Sequence, residues 1–292
     1  MAKLTGSTIN PKKFSRSQIK FYLILLPVAA FMLLPLIYTF CHSLKPLDEL
    51  FAFPPKFLVQ NPTFANFKRL FQAGSTTFIP MSRYLFNSIV VTVLTVLINW
   101  IITVLAAYAL SKKRFKFCGK LVSINQTALM FVGTALSIPS YFIITKIGLI
   151  NSFWANIIPL VAMPVGLFLV KQFMDQTPDE LIESAKLDGA NDFQTVWKII
   201  VPIVKPALAT VGILTFQGVW NNTSTSSLYI QEESLKTFAY YLNTLTMTTA
   251  GNNIIGVGMQ AAASVIIFVP NLIIFIFMQS KVMNTMAHSG IK

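Results

Sequence analysis

Six long runs of the sequence contain no charged residue, and they constrain the fold more than any other feature. They cover residues 21–44, 84–110, 121–145, 147–170, 206–230 and 252–280. A helix rises about 1.5 Å per residue, so each run is long enough to cross a hydrocarbon layer of about 30 Å. Charged residues make up only 11% of the chain, against about a quarter in water-soluble domains. The sequence therefore predicts an all-α integral membrane protein with six transmembrane helices.

The chain begins with a polar, basic stretch, residues 1–20, that leads directly into the first apolar run. A secretory signal peptide has a shorter apolar core and a small-residue cleavage site, so we expect the first run to be retained as a transmembrane helix. The predicted organisation is a tail at 1–20, a six-span domain at 21–282 and a second tail at 283–292.

The distribution of lysine and arginine between the runs predicts the orientation of the chain. If the N-terminus lies in the cytoplasm, 16 of the 23 basic residues fall in cytoplasmic segments and seven fall outside. Cytoplasmic loops of membrane proteins carry the excess of positive charge, so both termini are expected in the cytoplasm. Because the basic residues are scattered through short loops, they do not indicate a nucleic-acid-binding surface.

One polar, helix-forming segment lies between the fourth and fifth runs, at residues 175–206, and is called the signature segment below. Thr177 is positioned to cap a first helix that has Pro178 at its first position. Gly189 is predicted to break that helix.

A second short helix is predicted after this glycine. Asn191, followed by Gln194, offers a second cap. Apolar residues then recur at helical spacing until Pro202 and Pro206, where we expect the run to stop because proline disrupts a helix interior. The signature segment is thus predicted to be two short helices that meet at a glycine.

The signature segment resembles the cytoplasmic signature of the membrane subunits of binding-protein-dependent ABC importers. That signature has Glu-Ala-Ala, a glycine after three further residues, and Ile-x-Leu-Pro after nine more. The matching residues here are Glu183, Ser184, Ala185, Gly189, Ile199, Val201 and Pro202. Ser184 and Val201 depart from the pattern and keep size and polarity nearly unchanged. The added Leu187-Asp188-Gly189-Ala190 is similar to the carbohydrate branch, typified by the smaller maltose permease subunit.

In that family the segment is a coupling helix that lies in a groove of the ATPase subunit. The small side chains of Ser184 and Ala185 are expected to let the helix enter such a groove closely. The resemblance implies an ATPase-coupling site made of Glu183, Ser184, Ala185, Asp188, Gly189, Ala190, Ile199 and Pro202. The alternative is an ordinary amphipathic helix that lies on the membrane surface.

The sequence predicts no catalytic centre and no metal site in this chain. It has two histidines, His42 and His288, and they do not form a metal-binding pair or a base beside a nucleophilic serine. No Gly-x-x-x-x-Gly-Lys phosphate-binding loop occurs, so the chain itself is not expected to hydrolyse ATP. We expect no cofactor here, with ATP and Mg²⁺ bound by a partner ATPase.

The middle of every predicted span offers only amide and hydroxyl groups. Ion-coupled carriers usually need carboxylates near the membrane midplane, so the pattern favours a neutral polyol substrate over ion coupling. Amides both donate to and accept from sugar hydroxyls. The predicted substrate-pathway residues are Gln217, Trp220, Asn221, Asn222 and Gln260. For each amide the alternative is a hydrogen bond between helices.

The resemblance implies a permease subunit of an ATP-driven ABC importer in a prokaryotic cytoplasmic membrane, which translocates a sugar, expected to be an oligosaccharide. The implied partners are a second, homologous permease subunit, an ABC ATPase dimer, an extracytoplasmic sugar-binding protein and membrane lipid. Two alternatives stay open. One is an ABC permease for another solute, such as a polyol phosphate or an amino acid, and the other is a stand-alone secondary transporter.

Reporter fusions test the predicted orientation. Fusions after Lys116 and Asp192 should report the cytoplasm, and fusions after Gln60 and Ser234 should report the outside. Paired alkaline phosphatase and green fluorescent protein reporters measure the two sides. An external signal after Asp192 would remove the coupling role of the signature segment, because an ATPase could not reach it.

Overall fold

The computed structural model describes residues 19–75, 79–250 and 254–289. Within these ranges the chain is helical and has no β-strand. Its α-helices in chain order are α1 (Ile19–Leu44), α2 (Leu47–Phe51), α3 (Ala65–Ser75), α4 (Met81–Lys112), α5 (Cys118–Ala128), α6 (Gly133–Lys146), α7 (Ile158–Val161), α8 (Pro164–Asp175), α9 (Glu180–Leu187), α10 (Asp192–Thr195), α11 (Val201–Trp220), α12 (Ser224–Tyr229), α13 (Phe238–Ala250) and α14 (Ile254–Ser289). Short 3₁₀ turns lie at Phe153–Asn156 and Glu233–Leu235.

Four helical stretches are each long and apolar enough to cross a membrane: Ile19–Leu44, Met81–Lys112, Asp192–Trp220 and Gly256–Gln279. Two pairs of shorter helices reach the same length and apolarity together but are bent, by 118° between α5 and α6 and by 44° between Phe153–Val161 and α8. The described residues therefore hold four spans, or up to six if each bent pair is one span. The all-α membrane fold is confirmed, with the third and fourth spans broken.

The centre of the bundle is formed by α4, α8 and α11. Their buried side chains form one cluster that includes Val104, Val170 and Val211. Ile182 of α9 belongs to the same cluster, as does Ile200, which precedes α11. The signature segment is therefore packed onto the bundle rather than suspended from it as a loop.

The break in the fourth span occurs at Met163, directly before Pro164. Proline disfavours helical backbone in the residue before it, and Met163 is extended, with φ −122° and ψ 93°. Near this break the Asn99 side-chain amide of α4 donates to the carbonyl of Val161 at 2.7 Å. The Asn99 oxygen accepts from the Thr215 hydroxyl of α11 at 3.3 Å. Asn99, only 1% exposed, thus joins three helices inside the membrane.

The break in the third span separates α5 from α6. Backbone N–H groups of Leu129, Met130 and Phe131 bond to the last carbonyls of α5, so a turn closes that helix. The Asn125 amide of α5 donates to the Pro164 carbonyl of α8 at 3.2 Å. These bonds fix the end of α5 against α8, and the chain leaves it for α6 at an angle of 118°.

The fifth span starts earlier than predicted, because Pro202 and Pro206 do not stop the helix. The helix is continuous from α10 to the end of α11. The Val201 N–H bonds to the Val196 carbonyl five residues back, which gives a π-helical turn at Val196–Ile200, directly before Pro202. Local π-helical adjustments of this kind accommodate proline in membrane helices. The signature segment therefore leads without interruption into the fifth span.

The same span ends at Trp220, before its predicted end, because a separate helix follows. Asn222 bonds to the first turn of that helix, α12: its Oδ1 accepts from the backbone N–H and the hydroxyl of Thr225, at 3.0 and 2.9 Å. The loop after α12 is held against α4, since the Asn87 amide donates to the Ser234 carbonyl at 2.8 Å. This loop lies at the opposite end of α4 from the signature segment, called the far end below.

Both predicted tails extend beyond the described residues. The first helix begins at Ile19, and residues 1–18 lie outside the described range. α14 continues to Ser289, so the predicted boundary at 282 falls within a helix. Residues 290–292 also lie outside the described range.

The fully buried Asn66 side chain ties α3 to the end of α1 at the far end. Its amide donates to the carbonyls of Ser43 and Lys45 at 3.1 and 2.8 Å. Gly258 of α14 lies against it, and a β-carbon at that position would be 2.7 Å from the Asn66 side-chain oxygen. A side chain at Gly258 would therefore displace Asn66.

We predict that Gly258→Ala destabilises the protein by about 1–3 kcal/mol, because overpacking forces the Asn66 amide out of its hydrogen bonds. Thermal unfolding in detergent measures the change. Gly218→Ala is the matched control, since a β-carbon at Gly218 of α11 would meet nothing within 4 Å, and alanine is the better helix former. Equal melting temperatures for the two variants would contradict the packing described for Asn66.

Candidate functional site

The first helix of the signature segment, α9, has one buried and one exposed face. Ile182 and Ala185 are 6% and 5% exposed and pack toward the bundle. Glu183 and Ser184 are exposed, and Leu187 is 89% exposed. Ala185 lies three residues after Ile182 and shares its buried face, so of the two small side chains predicted to allow close entry into a groove, only Ser184 is exposed.

The start of α9 also differs from the prediction, because Thr177 does not cap it. The Thr177 hydroxyl donates backward, to the Phe173 carbonyl of α8 at 3.5 Å, and the residue is buried. Asp179 holds the N-cap position and makes no side-chain capping bond. Its carboxylate instead accepts from Lys112 of α4 at 2.7 Å.

The end of α9 is a glycine turn, as predicted. Gly189 has a φ of +82°, in the left-handed region that favours glycine. Its N–H bonds to the Lys186 carbonyl at 3.0 Å, and the Ala190 N–H bonds to the Ala185 carbonyl at 2.9 Å. This pair of bonds is a Schellman motif, which satisfies the last carbonyls of the helix.

The second cap is also confirmed. The Gln194 N–H donates to the Asn191 side-chain oxygen at 2.8 Å, and the Asn191 N–H donates to the Gln194 side-chain oxygen at 3.0 Å. These two bonds form a reciprocal capping box at the start of α10. The turn and the box together fix the angle between α9 and the fifth span.

A cleft of about 420 Å³ opens between α9 and the beginning of the fifth span. It collects five of the eight predicted coupling residues, together with Gln194 and Lys198: Ala185, Asp188, Gly189, Ala190 and Ile199. Glu183 and Ser184 lie outside it, on the exposed part of α9. Pro202 is not brought to this cleft and lines an apolar groove with Trp100 and Lys205.

Two lysines at the end of α4 make ion pairs with the signature segment. The Lys112 Nζ lies 2.7 Å from an Asp179 oxygen, and the Lys113 Nζ lies 2.7 Å from each Asp192 oxygen. Hydrogen bonding to Lys112 lowers the pKa of Asp179. Hydrogen bonding to Asp192 raises the pKa of Lys113. The Asp179 carboxylate and the Lys113 ammonium are therefore held in their charged forms.

A polar niche of about 260 Å³ lies at the far end, between α11, α13 and α14. Its polar lining is Asn221, Thr223, Asn243, Thr246, Gln260 and Ser264. The niche brings together two predicted pathway residues, Asn221 and Gln260, and none of the described residues in its lining is charged. Gln260, Asn243 and Ser264 are exposed. Amides and hydroxyls of this kind are suited to a ligand rich in hydroxyl groups.

The other three predicted pathway residues are not part of the niche lining. The Trp220 indole is 7% exposed and donates to the Ile267 carbonyl of α14 at 3.2 Å. The Asn222 side chain bonds to the first turn of α12, as described above. Gln217 is absent from the lining of the niche. The Asn221 side chain, which lines the niche, also donates to the Gln217 carbonyl at 2.9 Å and accepts from the Asn271 amide of α14 at 3.1 Å. The positions of these residues along the sequence do not show which side chains line the niche and which bond to neighbouring helices.

Sequence reasoning missed two features of the exposed surface. Leu187 and Phe193, on either side of the glycine turn, are 89% and 67% exposed although both are apolar. The signal was present, because apolar side chains on the solvent face of a polar segment indicate an interaction surface.

Among the described residues, no three His, Cys, Asp or Glu side chains form a group that could hold a metal ion.

We predict that Gly189→Val disrupts the turn and Gly189→Asn disrupts it much less. No atom lies within 4 Å of a β-carbon built at Gly189, so the cost is in the backbone, about 1–2 kcal/mol for a residue that disfavours the left-handed region. Limited proteolysis of the detergent-solubilised protein measures it as faster cleavage between α9 and α10. Equal cleavage rates for the two variants would contradict the role of the positive φ.

The sequence is similar to known membrane transport proteins over nearly its whole length. Residues 23–280 match the family described as binding-protein-dependent transport system inner membrane component. The inner membrane ABC transporter permease protein YcjP of Escherichia coli (strain K12) is 29% identical, over 96% of this chain and 98% of that protein. The arabinooligosaccharides transport system permease protein AraQ of Bacillus subtilis (strain 168) is 27% identical, over 90% and 93%.

Among solved structures, the fold is similar to a chain in a bacterial ABC transporter involved in the import of the acidic polysaccharide alginate. The TM-score is 0.76 at 24% identity, covering 93% of this chain and 99% of that chain. This likeness concerns the fold, and the family match extends over most of the sequence. The chain therefore belongs to the family of binding-protein-dependent transport system inner membrane components.

Proposed function

We propose that this chain is the permease subunit of an ATP-driven importer of sugars and that α9 is its coupling helix. One observation carries the proposal: α9 exposes Glu183 and Leu187 at one end of the bundle, while Ile182 fixes it to the buried core. A partner that binds the exposed face of α9 is thereby connected to the membrane spans. Family members of this type are non-catalytic membrane subunits.

The exposed surface around α9 has the composition of a docking site for a protein. Leu187 and Phe193 offer apolar contact, and Glu183 adds a charge that specifies the partner. The cleft beside Gly189 receives a side chain of that partner. The partner is an ABC ATPase dimer, which binds the ATP and Mg²⁺ that drive transport.

The substrate is a sugar, most simply an oligosaccharide, and it passes the niche at Asn221 and Gln260. The niche offers amide and hydroxyl groups without charge, which suits the hydroxyls of a sugar ring. Asn243 and Ser264, which the sequence did not single out, complete this surface. Two observations favour the sugar over a polyol phosphate or an amino acid: the absence of a charged residue from the niche lining, and the arabinooligosaccharide relative.

The mechanism is alternating access. ATP closes the ATPase dimer, the coupling helices of this chain and of a second, homologous permease subunit approach each other, and the bundle opens outward. An extracytoplasmic binding protein then delivers the sugar. Physically this is a two-state bundle whose equilibrium is shifted by a ligand on its partner.

The orientation of the chain belongs to the same proposal. The chain is a multi-pass membrane protein of an inner membrane family. With the signature segment and both termini in the cytoplasm of a prokaryotic cell, the coupling helix faces the ATPase and the niche faces the binding protein. A stand-alone secondary transporter is the second candidate, and it would need an ion-binding group that the lining of the niche does not provide.

Charge reversal at Glu183 tests the coupling role. We predict that Glu183→Lys inserts and accumulates like the parent, since an exposed residue contributes little to bundle stability. The variant should co-purify poorly with the ATPase and lose ATP hydrolysis stimulated by the binding protein.

The control is Asp48→Lys, which reverses an exposed carboxylate in α2, outside the signature segment. It should leave ATPase co-purification unchanged. If Glu183→Lys assembles and transports like the parent, Glu183 is not a coupling residue.

A further inference from the structure

Three consecutive residues at the end of α4 bond to three separate points of the signature segment. Ser111 Oγ donates to Asp175 at 2.6 Å, before α9 begins. Lys112 reaches the start of α9, and Lys113 reaches Asp192, beyond its end. We propose that Lys112 and Lys113 are positioning residues that fasten the chain to α4 on both sides of the coupling helix, at its start and beyond its glycine turn, and carry its displacement to the niche. This inference rests on the proposed function.

Lys112 holds the start of α9 through two bonds. Its Nζ donates to the Thr177 carbonyl at 2.6 Å and to Asp179 at 2.7 Å. The Lys112 side chain is only 7% exposed, whereas that of Asp179 is 74% exposed. The lysine is thus enclosed by the elements that it joins, which limits its freedom to follow α9 without moving α4.

Lys113 holds the other side of the glycine turn. Its Nζ donates to both carboxylate oxygens of Asp192 at 2.7 Å, and the Tyr108 hydroxyl donates to the same carboxylate at 3.3 Å. Lys113 also lies 5.7 Å from the centre of the Tyr108 ring. Asp192 directly follows the capping-box residue Asn191, so its position is fixed relative to the end of α9.

The far end of α4 is bonded to the wall of the niche. α4 has 32 residues, a length of about 48 Å as a helix. The buried Ser88 hydroxyl of α4 accepts from the Phe238 N–H, the first residue of α13, at 2.8 Å. Asn87 donates to the carbonyls of Ser234 and Lys236, just before α13. α13 then supplies Asn243 to the niche.

A continuous set of bonds therefore runs from α9 through the two lysines, along α4 and into α13. A second route exists along the chain, because the fifth span continues from Asp192 to Trp220 and ends beside Asn221. That route contains the π-helical turn at Val196–Ile200, whereas α4 has no proline or π-helical turn within Met81–Lys112. A helix without a proline or a π-helical turn lacks the usual causes of a kink and is the better mechanical connection. The two routes predict different results for the lysine variants.

The test measures the accessibility of a residue in the niche instead of sugar transport, so the transported sugar need not be known. Asn243→Cys is introduced into a chain whose Cys41 and Cys118 are replaced by serine, and the full complex with both permease subunits, the ATPase and the binding protein is placed in nanodiscs. Labelling of the new cysteine by a membrane-impermeant maleimide is timed without nucleotide and with ATP trapped by vanadate. In the parent we expect trapping to change the labelling rate at least about fivefold, the lower end of typical allosteric coupling.

The Lys112→Gln, Lys113→Gln double variant should keep the ATPase bound and lose this change in labelling rate. Lys112→Arg, Lys113→Arg should retain it, since arginine also pairs with carboxylates. Lys116→Gln is the control: Lys116 is exposed in the same loop and makes no ion pair with a described residue. If the double variant does not insert, the single variants Lys112→Gln and Lys113→Gln replace it, and each should reduce the change.

The outcomes separate the two proposals. A parent complex that forms and responds to trapping, with double and single variants that respond equally, would overturn the lysine route and leave the coupling role of α9 intact. A parent complex that binds the ATPase but shows no response to trapping would overturn this inference alone. A parent that binds no ATPase would overturn the proposed function and this inference with it.

Discussion

A backbone group inside a membrane finds no water, so every break in a transmembrane helix requires a hydrogen-bond donor or acceptor from the protein itself. In this chain Asn99 meets that requirement next to the break before Pro164, by donating to the Val161 carbonyl and accepting from Thr215. The centre of the bundle is formed by α4, α8 and α11, and Asn99 bonds α4 to α11 and to Val161 at the end of α7. Ile182 of α9 packs into the buried apolar cluster of α4, α8 and α11, and this contact holds α9 on the bundle.

The positions of the spans follow from hydropathy, because a charge-free run of sufficient length has few alternatives to a membrane helix. The bends and breaks within the spans cannot be predicted from hydropathy alone. Pro164 marks the bend in the fourth span through its effect on Met163, but Pro202 and Pro206 lie within a continuous helix. The difference is a π-helical turn at residues 196–200, which adapts the backbone hydrogen bonds and leaves no clear pattern in the sequence.

In the candidate site, features formed by neighbours in the chain could be predicted from the sequence, and contacts between distant residues could not. The turn at Gly189 and the box of Asn191 and Gln194 are formed by neighbours in the chain, so their residue types predict them. The bonds of Lys112 and Lys113 to Asp179 and Asp192 join residues far apart in sequence. The niche likewise gathers side chains from three helices, and only the fold brings them together.

The central claim is that sugar movement through this bundle is driven by a separate ATPase through α9. Uptake into proteoliposomes tests it most directly, with the complete complex, the binding protein added outside the vesicles or omitted, ATP enclosed in the vesicles or omitted, and radiolabelled arabino-, galacto- and maltooligosaccharides as probes. The account predicts uptake of an oligosaccharide only when ATP, the ATPase and the correctly placed binding protein are all present. Uptake by this chain alone, driven by a proton or sodium gradient and indifferent to ATP, would contradict it.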